Sequence, residues 1–223
     1  MPFDYKKEYK DLYQPKAKPA IVKVPRMSFV AVEGKGDPNE EGGDYQTTLQ
    51  LLYGISFTIK MSKMSKNPDD QIDGYFDYVV PPLEGLWWMV DDNAEDGMLP
   101  GIDYSRKSDF HWISMIRLPE FVTPDVFEHA REQFAAKHPE ADISRAFLFD
   151  FDEGTVTQVM HKGPYDDEPA TIAALDAYAT EQGYALDFGA SRYHHEIYLS
   201  DPRKSKPENL KTVIRHPVRP ADR

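Results

Sequence analysis

The chain has 223 residues, 40% hydrophobic and 29% charged, enough for a sizeable core as one domain or as two small modules sharing one. A formal net charge of −12 repels a phosphate backbone, and no basic stripe with interleaved aromatics offsets it, so direct nucleic-acid binding is not expected. There is no cysteine, which excludes a disulfide framework, a thiolate nucleophile and cysteine-based zinc sites.

No apolar run approaches the ~20 residues that span a bilayer. The first ten residues are charged and polar, without a signal-peptide stretch, so a cytoplasmic protein with no membrane partner is expected. Residues 1–20, rich in Lys and Tyr, read as an N-terminal arm lying on the body. Ile21 to Glu33 reads as a strand bent or edge-placed at Pro25. Gly34 to Pro38 is a turn, and Asp44 is a candidate N-cap for an amphipathic helix whose inner face takes Leu49, Leu52, Tyr53, Ser56, Phe57 and Ile59. Tyr75–Val80 and Leu83–Val90 look like strands. The polar stretch Asp91 to Ser108 is long for a compact domain and is read as a functional lid or a link between halves.

Phe110 to Pro119 reads as another strand, and Thr123-Pro124 opens a helix that stops before Pro139. Arg145–Phe151 and Thr155–His161 flank Asp152-Glu153-Gly154, a hairpin signal. A helix is expected from about Glu168 to Gln182, ending at Gly183. Tyr193–Leu199 and Thr212–Pro217 are the last two strands.

The order of elements repeats. Residues 29–38 (FVAVEGKGDP) align with 156–165 (VTQVMHKGPY): strand, Lys-Gly, turn, helix. Two strands follow each helix, and one strand of each pair carries a glutamate near its start, Glu84 in LEGLWW and Glu196 in HEIYLS. The pattern predicts an α+β fold of tandem strand-helix-strand-strand modules, with antiparallel sheets packed by helices about a pseudo-two-fold axis. The boundaries are about 21–118 and about 119–223, after the arm. A cleft between such modules is a favoured ligand site.

These residues resemble the GyrI-like small-molecule-binding proteins, in particular their stand-alone two-module branch. The resemblance runs from FDYKKEYKDLYQPKAKPAIVKVP through PPLEGLWW, WISMIRLPEFVT and HKGPYDDEPATI to HHEIYLSDP. It implies an aromatic pocket for flat, often cationic ligands with a buried glutamate at its base, here Glu196. It also implies that some stand-alone members hydrolyse cyclopropane-bearing alkylators. No helix-turn-helix segment accompanies it, so the regulator role of other relatives does not carry over.

By alternation His194, Glu196 and Tyr198 share one strand face and His195, Ile197 and Leu199 the other. Alternation alone leaves Glu196 on a solvated outer face. The resemblance instead puts a pocket there, across the sheet face away from the helices. Trp87 and Trp88 face opposite sides, and Trp88 is favoured for the pocket, an assignment that a one-residue slip exchanges. Trp112, with His111 on the neighbouring position, completes the expected aromatic clamp. Tyr165 is the expected proton donor and Glu196 the general base, Tyr198 and Glu84 joining the ligand contacts, with Glu84 the pseudo-symmetric partner of Glu196. Tyr53 reads as core. No HExxH, phosphate loop or serine elbow is present, so no metal and no cofactor are expected. The expected partner is a planar aromatic or cationic small molecule, bound by a monomer or homodimer and either hydrolysed, sequestered or sensed. A protein-interaction module, as in the gyrase-inhibitory namesake, is the remaining alternative.

Overall fold

The computed structural model describes residues 1–91, 97–99, 102–189 and 191–221. Its frame is a pair of long bent strands. The first consists of β1 (Ala20–Val24) and β2 (Met27–Lys35), the second of β6 (Ala146–Phe151) and β7 (Gly154–Lys162). β1 lies on β7 with Ala20 opposite Gln158 and Val24 opposite Gly154; β2 lies on β6 with Met27 opposite Phe151 and Val32 opposite Ala146. The register is continuous across the bends, where Pro25 offers no N–H and Gly154 takes φ +71°.

Within the sheet the order is β1-β7-β10-β9-β3-β5-β2-β6, where β3 is Leu83–Val90, β5 Phe110–Arg117, β9 His194–Tyr198 and β10 Lys211–Pro220. Every pairing is antiparallel. The short β4 (Met98–Leu99) adds to β3, and β8 (Tyr184–Leu186) to β10. Because two-residue links join β1 to β2 and β6 to β7, the two ends of this path meet and the sheet curls round. The expected hairpin at 152–154 is therefore not formed. β7 has β1 on one edge and β10 on the other, which leaves it no edge for β6.

Helix α3 (Asp44–Met61) follows β2, and α5 (Glu168–Glu181) follows β7. The strand order β2-β5-β3 is mirrored by β7-β10-β9, and β3 meets β9 at the centre. On the helix side, Leu51, Ile55 and Ile59 of α3 pack with Phe127 and Phe134 of α4 (Pro124–Lys137) over Val30, Trp112 and Ile116. Gly54, inside α3, has its place there because a Cβ would lie 2.1 Å from the Phe134 ring. The α3 face is rotated from the expected one. Leu51, Leu52 and Ile55 are buried, whereas Tyr53 and Phe57 are 36% and 48% exposed, so Tyr53 is not core.

The other side of the sheet encloses a second core. The arm, mostly exposed itself, inserts three side chains into it. Its two short turns, α1 (Tyr5–Glu8) and α2 (Lys10–Tyr13), bring Tyr5, Leu12 and Tyr13 against Phe29, Leu86, Met115, Ile197 and Val213. Each such side chain contributes roughly 1.5–3 kcal/mol on burial. Tyr75–Val80 is not a strand: it makes one isolated bridge, Phe3 to Tyr78, before Pro81-Pro82. Its rings pack on Phe121 instead.

Candidate functional site

The centre of the sheet, where β3 meets β9, carries the chemistry. Gly85 lies opposite Glu196 on one side and Ser114 of β5 on the other, while Ile214 of β10 flanks Glu196. Gly85 leaves a gap in this row. Trp87 and Tyr198 lean into the gap, with Trp87 Nε1 donating to Tyr198 Oη at 3.0 Å. A Cβ on Gly85 would meet Trp87 Nε1 at 2.5 Å and Tyr198 Oη at 3.2 Å. No larger residue fits that arrangement.

Glu196 faces the helices, which corrects the expectation of a pocket on the opposite side. The parity decides it: His194, Glu196 and Tyr198 do share one face, but that face is the one covered by α3 and α5, while Ile197 joins the arm-side core. Glu168, the first residue of α5, comes down onto the same spot; it is fully buried and Glu196 is 6% exposed. Tyr104, from the long segment before β5, bridges them. Its hydroxyl lies 2.8 Å from Glu168 Oε2 and 3.4 Å from Glu196 Oε1. Around them stand Tyr45 near the start of α3, Tyr165 before α5, and Tyr198, each half-buried. Tyr45 packs against Trp87 and Trp112 at ring distances of 5.6 and 5.1 Å, and Tyr165 meets Tyr198 edge-on at 5.8 Å. The result is a pair of buried carboxyls surrounded by three half-buried tyrosines.

The two glutamates are driven apart in acidity. Burial raises Glu168 well above the usual carboxylate range, and the negative charge of Glu196 adds to the rise. Burial pushes Glu196 up as well, but the bond and charge of His194, with bonds from Tyr198 and Glu168, outweigh it and hold Glu196 low. The surroundings thus favour the protonated form of Glu168 and the ionised form of Glu196, opposite tendencies that suit an acid and a base. Glu168 Oε1 is buried and, among the described residues, without a hydrogen-bond partner. Tyr165 is pushed up to about 12 by burial and by both glutamates, so it stays a hydroxyl donor at neutral pH.

Behind Glu196 runs a buried line of side chains. His194 Nε2 is 2.8 Å from Glu196 Oε1, and His194 Nδ1 is 2.8 Å from His216 Nε2 on β10. His216 Nδ1 is 2.6 Å from Asp176 Oδ1 on α5. Glu168, His194 and Glu196 each present a ligand atom within 4.8 Å of the others. Those atoms are already engaged with one another and with Tyr104, so a divalent ion would have to break the His194–Glu196 bond.

The other expected site residues divide by face. Trp87 and Trp112 line the Glu196 side. Trp88, favoured for the pocket, points the opposite way, against His111 and Tyr193 at ring distances of 5.7 and 4.5 Å. The slip of one residue is the reason, and it removes His111 from the site too. Glu84 is likewise on the arm side. The true counterpart of Glu196 across the sheet centre is Gly85, because Glu84 and Glu196 have opposite parity and so cannot be related without crossing the sheet. Glu84 instead holds His195 Nε2 at 3.0 Å, His195 Nδ1 holds Glu153 at 2.8 Å, and Arg215 closes on Glu153 at 2.8 Å. Burial pushes His195 down, but the Glu153 charge and bonds from both glutamates raise it to about 9. Burial pushes Glu153 up, while His195 and Arg215 bring it down to about 2. Tyr13 donates to Glu84 at 3.3 Å and Arg215 to the Leu12 carbonyl at 2.8 Å, so this network fastens the arm.

Sequence reading missed Glu168, Tyr104, Tyr45, His216 and Asp176. Glu168 was visible only as a helix start, and the others come from separate elements with no shared motif. The expected lid at 91–108 supplies Tyr104, while residues 92–96, 100 and 101 lie outside the described residues.

The profile of the GyrI-like small molecule binding domain matches residues 118–219. A solved structure described as a hydrolase from Listeria innocua is 45% identical to the chain, with 97% of this chain and 100% of that one covered and a TM-score of 0.84. The chain belongs to the GyrI-like family. A second Listeria innocua structure, described as an uncharacterized conserved protein, is 46% identical with the same coverage and a TM-score of 0.86. The EcmrR C-terminal domain matches at 13% identity and a TM-score of 0.52, covering 92% of this chain and 98% of that one, a likeness of fold alone. No curated protein matches the chain. No helix among the described residues of this GyrI-like protein is long and apolar enough to cross a membrane.

Proposed function

We propose that this GyrI-like protein binds planar aromatic electrophiles under its tyrosine rim and opens a strained, cyclopropane-type ring with water. The carrying observation is the buried Glu168–Glu196 pair, bridged by Tyr104, with opposite protonation favoured by its surroundings. Glu196 takes a proton from water as its oxygen bonds to the ring methylene. The ring C–C bond breaks, and its electron pair flows into the conjugated carbonyl, which becomes a phenol oxygen. That oxygen receives its proton from Glu168, with Tyr165 donating a hydrogen bond to it. The half-buried rings of Tyr45, Tyr165 and Tyr198, backed by Trp87 and Trp112, hold the flat ligand by stacking. The name of the 45% identical Listeria protein supports a hydrolase in general, not this substrate.

The test is incubation with a spirocyclopropyl-cyclohexadienone alkylator, followed by mass spectrometry, beside Glu196→Gln. Ring-opened, water-added product that falls by about 10²-fold or more in the variant supports the reading. Equal product from both proteins sinks the assigned base. Saturable tryptophan quenching without product assigns the pocket to sequestration.

A further inference from the structure

The line Asp176–His216–His194–Glu196 contains more groups than a base needs. Both histidines are about 1% exposed, whereas the Asp176 side chain is 29% exposed on α5, away from the tyrosine rim. The edge of Phe188 covers His216 at 4.8 Å. Three contacts of 2.6–2.8 Å join the four groups, and each contact requires one proton between its heavy atoms. With both end carboxyls ionised, the count leaves one imidazolium and two places for it, His194 or His216, because the proton between the two rings can sit on either. Glu196 is far more deeply buried than Asp176, and a cation is drawn to the more desolvated carboxylate; that places the imidazolium on His194, with His216 giving Nδ1–H to Asp176 and accepting at Nε2. Burial and the nearby His194 charge hold His216 below its usual range despite its Asp176 bond, which agrees with a neutral ring there.

A problem follows when Glu196 does its work. On accepting the proton from water it becomes neutral and leaves the His194 cation buried without its partner, a state that costs several kcal/mol. The line removes that charge. His194 passes its Nδ1 proton to His216 Nε2, and His216 passes its Nδ1 proton to Asp176. Afterwards Asp176 is a neutral acid donating to His216 Nδ1, His216 Nε2–H donates to His194, and His194 Nε2–H donates to the now neutral Glu196. Every contact keeps one proton and no isolated charge remains. The reverse shift recharges His194 when the Glu196 proton passes through Tyr104 to reload Glu168.

We propose that Asp176, His216 and His194 form a charge-compensating proton relay that lets Glu196 act as a base while buried. Its catalytic use rests on the hydrolytic reading above; the proton arrangement does not. Asp176 and His216 are positioning residues, since they act through His194. The groups facing the Glu196 end are Glu168 and Tyr104, Tyr198, Tyr45 and Tyr165, and the variants leave all of them in place.

The experiment uses Asp176→Asn, which keeps an acceptor oxygen but cannot take up the proton, in the full chain. With the same alkylator, kcat is expected to fall by about 10²-fold at unchanged KM. The proton inventory in mixed H2O/D2O is expected to change from bowed, several protons moving, to linear. Unchanged kcat with a bowed inventory in the variant overturns the relay. Nitrogen-15 NMR of the imidazoles serves even if no alkylator is turned over, an outcome that would remove the hydrolytic reading alone. A doubly protonated His194 beside an Nδ1–H His216 in the native protein, retained in Asp176→Asn because the amide oxygen still accepts from His216, supports the resting arrangement of the relay; a neutral His194 in the native protein overturns it.

Discussion

Raising the pH from 6.5 to 9 should loosen the arm from the inside of the curled sheet. His195 sits between Glu84 and Glu153 with every partner buried, and its folded-state value stands at about 9 against 6.5 for a free histidine. A group raised on folding binds its proton more tightly in the native state. Its contribution is complete below pH 6.5 and is lost as the pH climbs through 9. At 1.36 kcal/mol per pH unit, the rise amounts to about 3 kcal/mol. Glu153 belongs to the same ion pair, so its own depression is not added; it marks the acid limb, where stability falls as the pH drops from 4.5 towards 2. The assay is urea unfolding followed by far-ultraviolet circular dichroism at half-unit pH steps, native protein beside His195→Gln. Glu168, also raised, titrates in the same direction, and the difference between the two proteins isolates His195. A native curve flat from 6.5 to 9, or one that the variant reproduces in slope, refutes the ion-pair account of the arm.

Three further outcomes test the site. Glu168→Gln should stabilise the fold by about 1–2 kcal/mol, since it removes a carboxyl whose ionisation is disfavoured, and should lower ring opening at the same time; thermal unfolding and product formation measure the two effects. Gly85→Ala should cost about 1–3 kcal/mol and abolish ligand-induced tryptophan quenching, because its methyl displaces Trp87 and Tyr198. Exhaustive treatment with a metal chelator should leave turnover unchanged, because both His194 nitrogens are already engaged; loss of turnover restored by zinc would reassign the Glu168–His194–Glu196 cluster.

Much of the frame was legible. Thr123-Pro124 announced α4, the bend at Pro25 is real, and the strand face of His194, Glu196 and Tyr198 followed from alternation. What failed was long-range. The Asp152-Glu153-Gly154 segment carries the residues of a tight turn, but β7 is already committed on both edges, to β1 and β10. Local chemistry could not report that commitment, nor that Glu153 would be buried against Arg215. Likewise, parity separates Trp87 from Trp88 without naming the helix side, and the arm that fills the other side lies more than 60 residues away in sequence. Glu168 is the sharpest example. At a helix start a glutamate is usually an exposed capping charge, and only the curl of the sheet brings this one down beside Glu196.

The most direct measurement of the central claim is ring opening in H2-18O. The account predicts one 18O atom in the product at the former ring methylene, with the rate in Glu196→Gln reduced by about 10²-fold or more. Product without the label, or an alkylated protein carrying the ring-opened ligand as a mass increase, would contradict activation of water by Glu196.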